Sequence, residues 1–118
     1  DQHDADERDA ERRDDAAFEP FLDGVRIKVL REQAGALSYL LRLEPGATVP
    51  PHRHPQDEEC IVIEGSLRVG THTTFGPGSY HLAHGGALHA TISTETGVSF
   101  TILGSACTSS FLLRRRSS

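Results

Sequence analysis

Two histidines two residues apart, His52 and His54, stand four residues ahead of a glutamate, Glu58. Side chains of an extended chain alternate with period two, so these three share a parity and can point into one cavity. Two imidazoles and a carboxylate on one face form a donor set for a divalent metal ion. Cys60 and Val62 continue the same face, which places the Cys60 thiol within reach of such a site. Cys60 has a plainer reading as a small buried hydrophobe, since a redox-sensing thiol would have to be accessible and partly ionised.

The elements that would position these residues are short and extended. Val25–Leu30 alternates cleanly, with Val25, Ile27 and Val29 expected inward, after anchors at Phe18, Phe21 and Leu22 and a turn at Asp23-Gly24. A turn near Gly35 leads to a second strand over 37–43, ended by Pro45-Gly46. Further strands are expected over 60–63 and 66–69, joined as a hairpin through Glu64-Gly65. Others are expected over 79–82, 89–93 and 98–103, with a tight loop at Gly76-Pro77-Gly78 and a turn at Gly85-Gly86. No stretch of the core carries a helical period. Short strands with frequent Gly and Pro turns predict an all-β sandwich or barrel, and a ligand-lined interior selects the jelly roll.

Length and composition allow one domain of ordinary globular character, 118 residues with 36% hydrophobic and 25% charged. Residues 1–17 hold eight acids against three arginines and no apolar face, and are expected to be a charged, irregular N-terminal arm or linker. Residues 18–110 then form the folded domain and 111–118, with three arginines, a basic tail. The net charge of −5 argues against nucleic-acid binding, and no apolar run is long enough to span a bilayer. A cytoplasmic setting and free thiols at Cys60 and Cys107, rather than a disulfide, are expected. The chain starts at Asp1 and holds no methionine, which points to a piece of a longer protein.

The stretch from Gly46 to Gly65 resembles the first cupin motif, Gly-x5-His-x-His-x3-Glu-x6-Gly, at Gly46, His52, His54, Glu58 and Gly65. The second cupin motif maps onto Gly78, His84, Gly86, His89 and Ser93. There His84 stands in place of the usual proline and Ser93 in place of the usual asparagine. The resemblance implies a jelly-roll barrel binding a metal ion through His52, His54, Glu58 and His89. It also implies a small-molecule ligand inside the barrel and a homodimer. The surrounding sequence is most similar to the cupin domain of ChrR-type anti-sigma factors and their stand-alone relatives. In those proteins a zinc-binding sensory cupin follows a helical domain that holds a sigma factor. No such helical domain is present in these 118 residues, so a sigma factor is an expected partner only within a larger ChrR-like protein.

Three neutral imidazoles and one carboxylate leave a divalent site at about +1, suited to an anionic or oxygen-donor ligand. Four protein ligands close a tetrahedral zinc site but leave open positions on octahedral iron, manganese or nickel. Zinc favours a sensory or regulatory module responding to a small ligand or oxidant. The other metals favour a small enzyme, of dioxygenase or isomerase type, on an oxygen-rich substrate. For the enzyme no independent general base is evident. Arg53 is expected to point away from the metal, and Arg42 and Arg68 to face outward. Candidate supporting groups are Cys60, His84 at the turn before His89, and Tyr39. Tyr80 is read as a core aromatic, His72 as a turn residue, and Glu59 and Glu64 as solvated. His81 is read as outer-face, because its neighbours Tyr80 and Leu82 are the apolar pair and should face in. His3 belongs to the arm.

Overall fold

The computed structural model describes residues 17–105. Most of the acidic arm, the basic tail, His3 and Cys107 lie outside them. Ten strands follow in chain order: β1 Glu19–Leu22, β2 Val25–Gln33, β3 Ala36–Leu43, β4 Thr48–Val49, β5 Glu58–Gly65, β6 Leu67–Val69, β7 Thr73–Phe75, β8 Tyr80–Ala83, β9 Ile92–Ser93 and β10 Val98–Ser105. They form two antiparallel sheets, six-stranded in the order β1-β2-β3-β10-β5-β8 and four-stranded in the order β4-β9-β6-β7. This is an all-β jelly-roll sandwich.

Alternation builds the core as expected. β3 and β5 bury alternate residues, so Leu37, Tyr39, Leu41 and Leu43 lie side by side with Cys60, Val62, Phe100 and Ile102 on the inner face of the large sheet. Phe100 and Leu67 are fully buried, one from each sheet. The β2–β3 hairpin turns through Ala34 and Gly35, both with positive φ (53° and 80°), as a two-residue turn matching the strand twist requires. Arg42 is exposed, its guanidinium 4.1 Å from the centre of the Phe18 ring.

The structure corrects two sequence readings here. Strands 60–63 and 66–69 do not form a hairpin. β5 pairs with β10 and β8 in the large sheet, while β6 pairs with β7 and β9 in the small one. Gly65 is where the chain leaves one sheet for the other. It has φ 82°, and a Cβ there would run into the Gly97 carbonyl oxygen, so only glycine lets the two backbones meet. The second correction concerns β8. Tyr80 and Leu82 are exposed, at 53% and 39%, and His81 is the residue that turns inward. Tyr80 donates its hydroxyl proton to Glu59 Oε1 (3.0 Å) on the outer face, so it is not a core aromatic.

Candidate metal and ligand site

The chain between β4 and β5 is a loop, not the continuous strand that the His-Arg-His spacing suggested. It bends at Pro55 and Gln56, and the ladder resumes only at Glu58. Convergence is achieved by pairing instead. His52 and His89 form an isolated antiparallel bridge, with His89 N donating to His52 O (2.9 Å) and His52 N to His89 O (3.3 Å). Gly86 N donates to His54 O (2.7 Å), Gly85 N to Asp57 Oδ1 (2.8 Å), and Arg53 Nη1 to Gly86 O (3.1 Å). Gly85 packs so closely that a Cβ would lie 2.5 Å from Gln56 Cα. The loops carrying the two motifs are thereby zipped together, which brings His89 to the other three residues.

His54 and Glu58 are buried, at 5% exposure each, and His54 Nε2 lies 3.2 Å from Glu58 Oε1. The His54 and His89 rings stack with centroids 4.6 Å apart, and His52 lies 5.7 and 5.9 Å from them. His54 Nδ1 is 2.7 Å from Gln56 O and His52 Nδ1 is 3.1 Å from Pro50 O. A carbonyl only accepts, so each Nδ1 carries a proton. His54 Nε2 then faces a carboxylate oxygen, a contact that needs a proton or a cation between the two atoms. His89 Nε2 is buried with no hydrogen-bond partner among the described residues. Burial lowers the His89 pKa, and the neighbouring His54 and His52 lower it further against a backbone hydrogen bond at His84. The donor chemistry and the orphaned His89 nitrogen fit a metal ion. The atoms are not drawn up to ligation distance, since among the described residues no three such groups stand in metal-holding geometry.

Beneath these residues lies a cavity of about 290 Å³. Its mouth is formed by exposed Arg53, His84 and Ala87, and its floor by buried Tyr39, Leu41, Phe100 and Ile102. All three supporting candidates, Cys60, His84 and Tyr39, line it. Arg53 also reaches the cavity wall, at the rim. Cys60 is a free thiol at 2% exposure, pushed up to about 12 by burial and then by the Glu58 carboxylate. His72 lies exposed in the turn before β7, and Glu59, Glu64 and Arg68 are exposed as expected. His81, set aside from the sequence, lines the cavity wall. Its signal was available in its parity with Ala83 and its pairing position opposite Cys60, but only once β8 was known to pair with β5.

A two-sheet jelly roll with three histidines and a glutamate gathered at the mouth of its interior cavity has the architecture of a cupin. The chain matches the ChrR cupin-like domain family over residues 6–106 and belongs to it. Among solved structures it is similar to KdgF from a Halomonas species (19% identity over 83% of this chain and 93% of that one, TM-score 0.72). It is also similar to the polyketide cyclase RemF from Streptomyces resistomycificus (20% identity over 85% and 80%, TM-score 0.73). A third likeness is to the structure of Rhodobacter sphaeroides SigE in complex with the anti-sigma ChrR (26% identity, TM-score 0.68). That match covers 79% of this chain but about half, 51%, of the other. No curated protein sequence matches the chain.

Proposed function

We propose that the protein is a metal-binding cupin whose ion is held by His52, His54, Glu58 and His89. The observation that carries this reading is the convergence of His54 Nε2 and Glu58 Oε1, 3.2 Å apart, with the orphaned His89 Nε2 on the ring stacked against His54. Zinc is the ion favoured, with iron, manganese or nickel as the alternatives. A bound divalent ion supplies a Lewis-acid contact for an oxygen-donor ligand entering the cavity. The chain's own contribution is orientation: the Gln56 and Pro50 carbonyls fix the tautomers of His54 and His52, and the His52–His89 bridge holds the two motif loops in register.

The role is that of a sensory or regulatory module responding to a small ligand or oxidant. Family membership supports it. Within a longer ChrR-like protein a sigma factor is the partner this reading implies. A cytoplasmic setting goes with the free thiol at Cys60. Residues 18–110 act as the cupin domain, flanked by the charged arm 1–17 and the basic tail 111–118. The protein pairs as a homodimer. A second reading, a small dioxygenase- or isomerase-type enzyme, is favoured by one observation. The cavity opens directly beside the four donors and leaves room for a substrate.

Elemental analysis of the purified protein tests the assignment. One exchange-resistant zinc per chain is expected, lost in His54→Ala and retained in His72→Ala. Equal metal content in wild type and His54→Ala removes the assignment. Exchangeable iron, manganese or nickel with dioxygen uptake on an added diketone moves the function to the enzymatic reading.

A further inference from the structure

The outer face of the large sheet is basic along β2 and β3. Val25, Ile27, Leu41 and Leu43 are buried, so Arg26, Lys28 and Arg42 project from the other face. Arg26 stands directly opposite Arg42 across the β2–β3 ladder, Lys28 stands opposite Leu40, and Arg31 continues the row opposite Ser38. Like charges directly opposite repel, and on the β10 side Arg42 and Leu40 meet only the neutral Ser99 and Thr101. Among the described residues none of these four cations is ion-paired, although Glu19 and Glu44 flank them in the chain.

The chain enters this face at Phe18. Its ring lies 4.1 Å from the Arg42 guanidinium and 5.8 Å from Lys28 Nζ, held by two cations. β1 pairs with β2 only as far as Ile27, which leaves the β2 edge from Lys28 to Gln33 open among the described residues. The segment leading into Phe18, residues 1–16, lies outside the described residues and carries eight acids against three arginines. Asp15 and Asp14 come three and four residues before Phe18, a reach of at most about 14 Å. One exposed ion pair is weak, but a segment tethered this closely meets the cations at high effective concentration.

We propose that this face is the docking site of the chain's own acidic arm: residues 1–16 return along the open edge of β2, with Asp14 and Asp15 against Lys28 and Arg42. The docked arm offsets the Arg26–Arg42 repulsion and shields the face from other anions. None of this depends on a metal ion, because the site lies on the side of the large sheet away from the cavity.

Lys28 is the single lysine in the 118 residues, so a zero-length carbodiimide cross-link reads the position of the arm. The full chain is treated at low salt and low concentration, and the carboxylate joined to Lys28 is identified by peptide mass spectrometry. A one-chain product joining Lys28 to Asp14, Asp15 or Glu11 is expected. At about 1 M salt, where charges are screened beyond about 3 Å, its yield should fall at least about fivefold. Arg26→Gln should lower the yield about twofold at low salt with unchanged circular dichroism, since Arg26 is not one of the two cations on Phe18. Lys28 joined only to described acids such as Glu19, an arm cross-link indifferent to both salt and Arg26→Gln, or no cross-link at Lys28 overturns the inference. A two-chain product joining Lys28 to the arm of another copy overturns docking within the chain.

Discussion

At the scale of single residues, Cys60 separates two ideas that the sequence left together. Its parity with Glu58 put a thiol beside the donors, which would suit an oxidant sensor if the sulfur were ionised. Burial and the Glu58 carboxylate instead push its pKa from 9.0 to about 12. At pH 8 the thiolate fraction is then roughly a thousandfold below that of an ordinary thiol. Iodoacetamide should leave Cys60 unmodified in the folded protein at pH 8 and label it promptly in denaturant, as read by intact mass. Rapid labelling of folded protein would restore the thiol as a sensor. The same shift has a sign in stability. Above pH 9 the unfolded thiol loses its proton while the folded one keeps it, so stability falls as pH rises from 9 toward about 12. Cys60→Ala should flatten that slope in alkaline urea melts.

At the scale of elements, the site depends on two loops whose backbones meet at Gly85. Gly85 sits against the backbone of Pro55 and Gln56, and its N–H is held by Asp57. An alanine there would have to move the Gly85–His89 segment outward, taking His89 away from His54 and Glu58. Gly85→Ala should weaken metal affinity by about tenfold to a hundredfold in a chelator competition. Its cost in stability should be about 1–3 kcal/mol, typical of an overpacked contact. Metal affinity equal to wild type would mean that the loops do not need this close approach. The cupin motif spells glycine at Gly86, not at Gly85. What makes Gly85 indispensable is its contact with Gln56, which is far from it in sequence.

At the scale of the whole molecule, the outer face of the large sheet carries a group of exposed apolar residues. On the large sheet, the exposed apolar residues outside the cavity lining include Ile61, Ile63, Tyr80 and Leu103, between 37% and 53% exposed. They lie on three adjacent strands, β10, β5 and β8, with Ile61 opposite Tyr80 and flanked by Thr101. An apolar face of this kind, ending at the open edge of β8, is a surface that a second copy can cover. Light scattering should give a dimer mass for wild type and a monomer mass for Ile63→Glu, with unchanged circular dichroism. A monomeric wild type would remove the homodimer.

Much of the chemistry was written in the chain itself. His52, His54, Glu58 and His89 were named by spacing and motif, and the strands expected over 25–30, 37–43 and 98–103 fall within Val25–Gln33, Ala36–Leu43 and Val98–Ser105. The short strands β1, β4 and β7 carry too few residues for a period to show, and they are defined by their partners. Alternation also has a built-in ambiguity: it states which residues share a face and not which face is the interior. For β8 the apolar pair Tyr80 and Leu82 won on hydrophobicity, yet the opposite sheet supplies the enclosure on the side of His81. Likewise Gly65 reads equally well as a hairpin turn or as a crossing between sheets, and only the Gly97 backbone packed against it decides. Parity is a local property of the strand, whereas inside and outside exist only once the second sheet is in place.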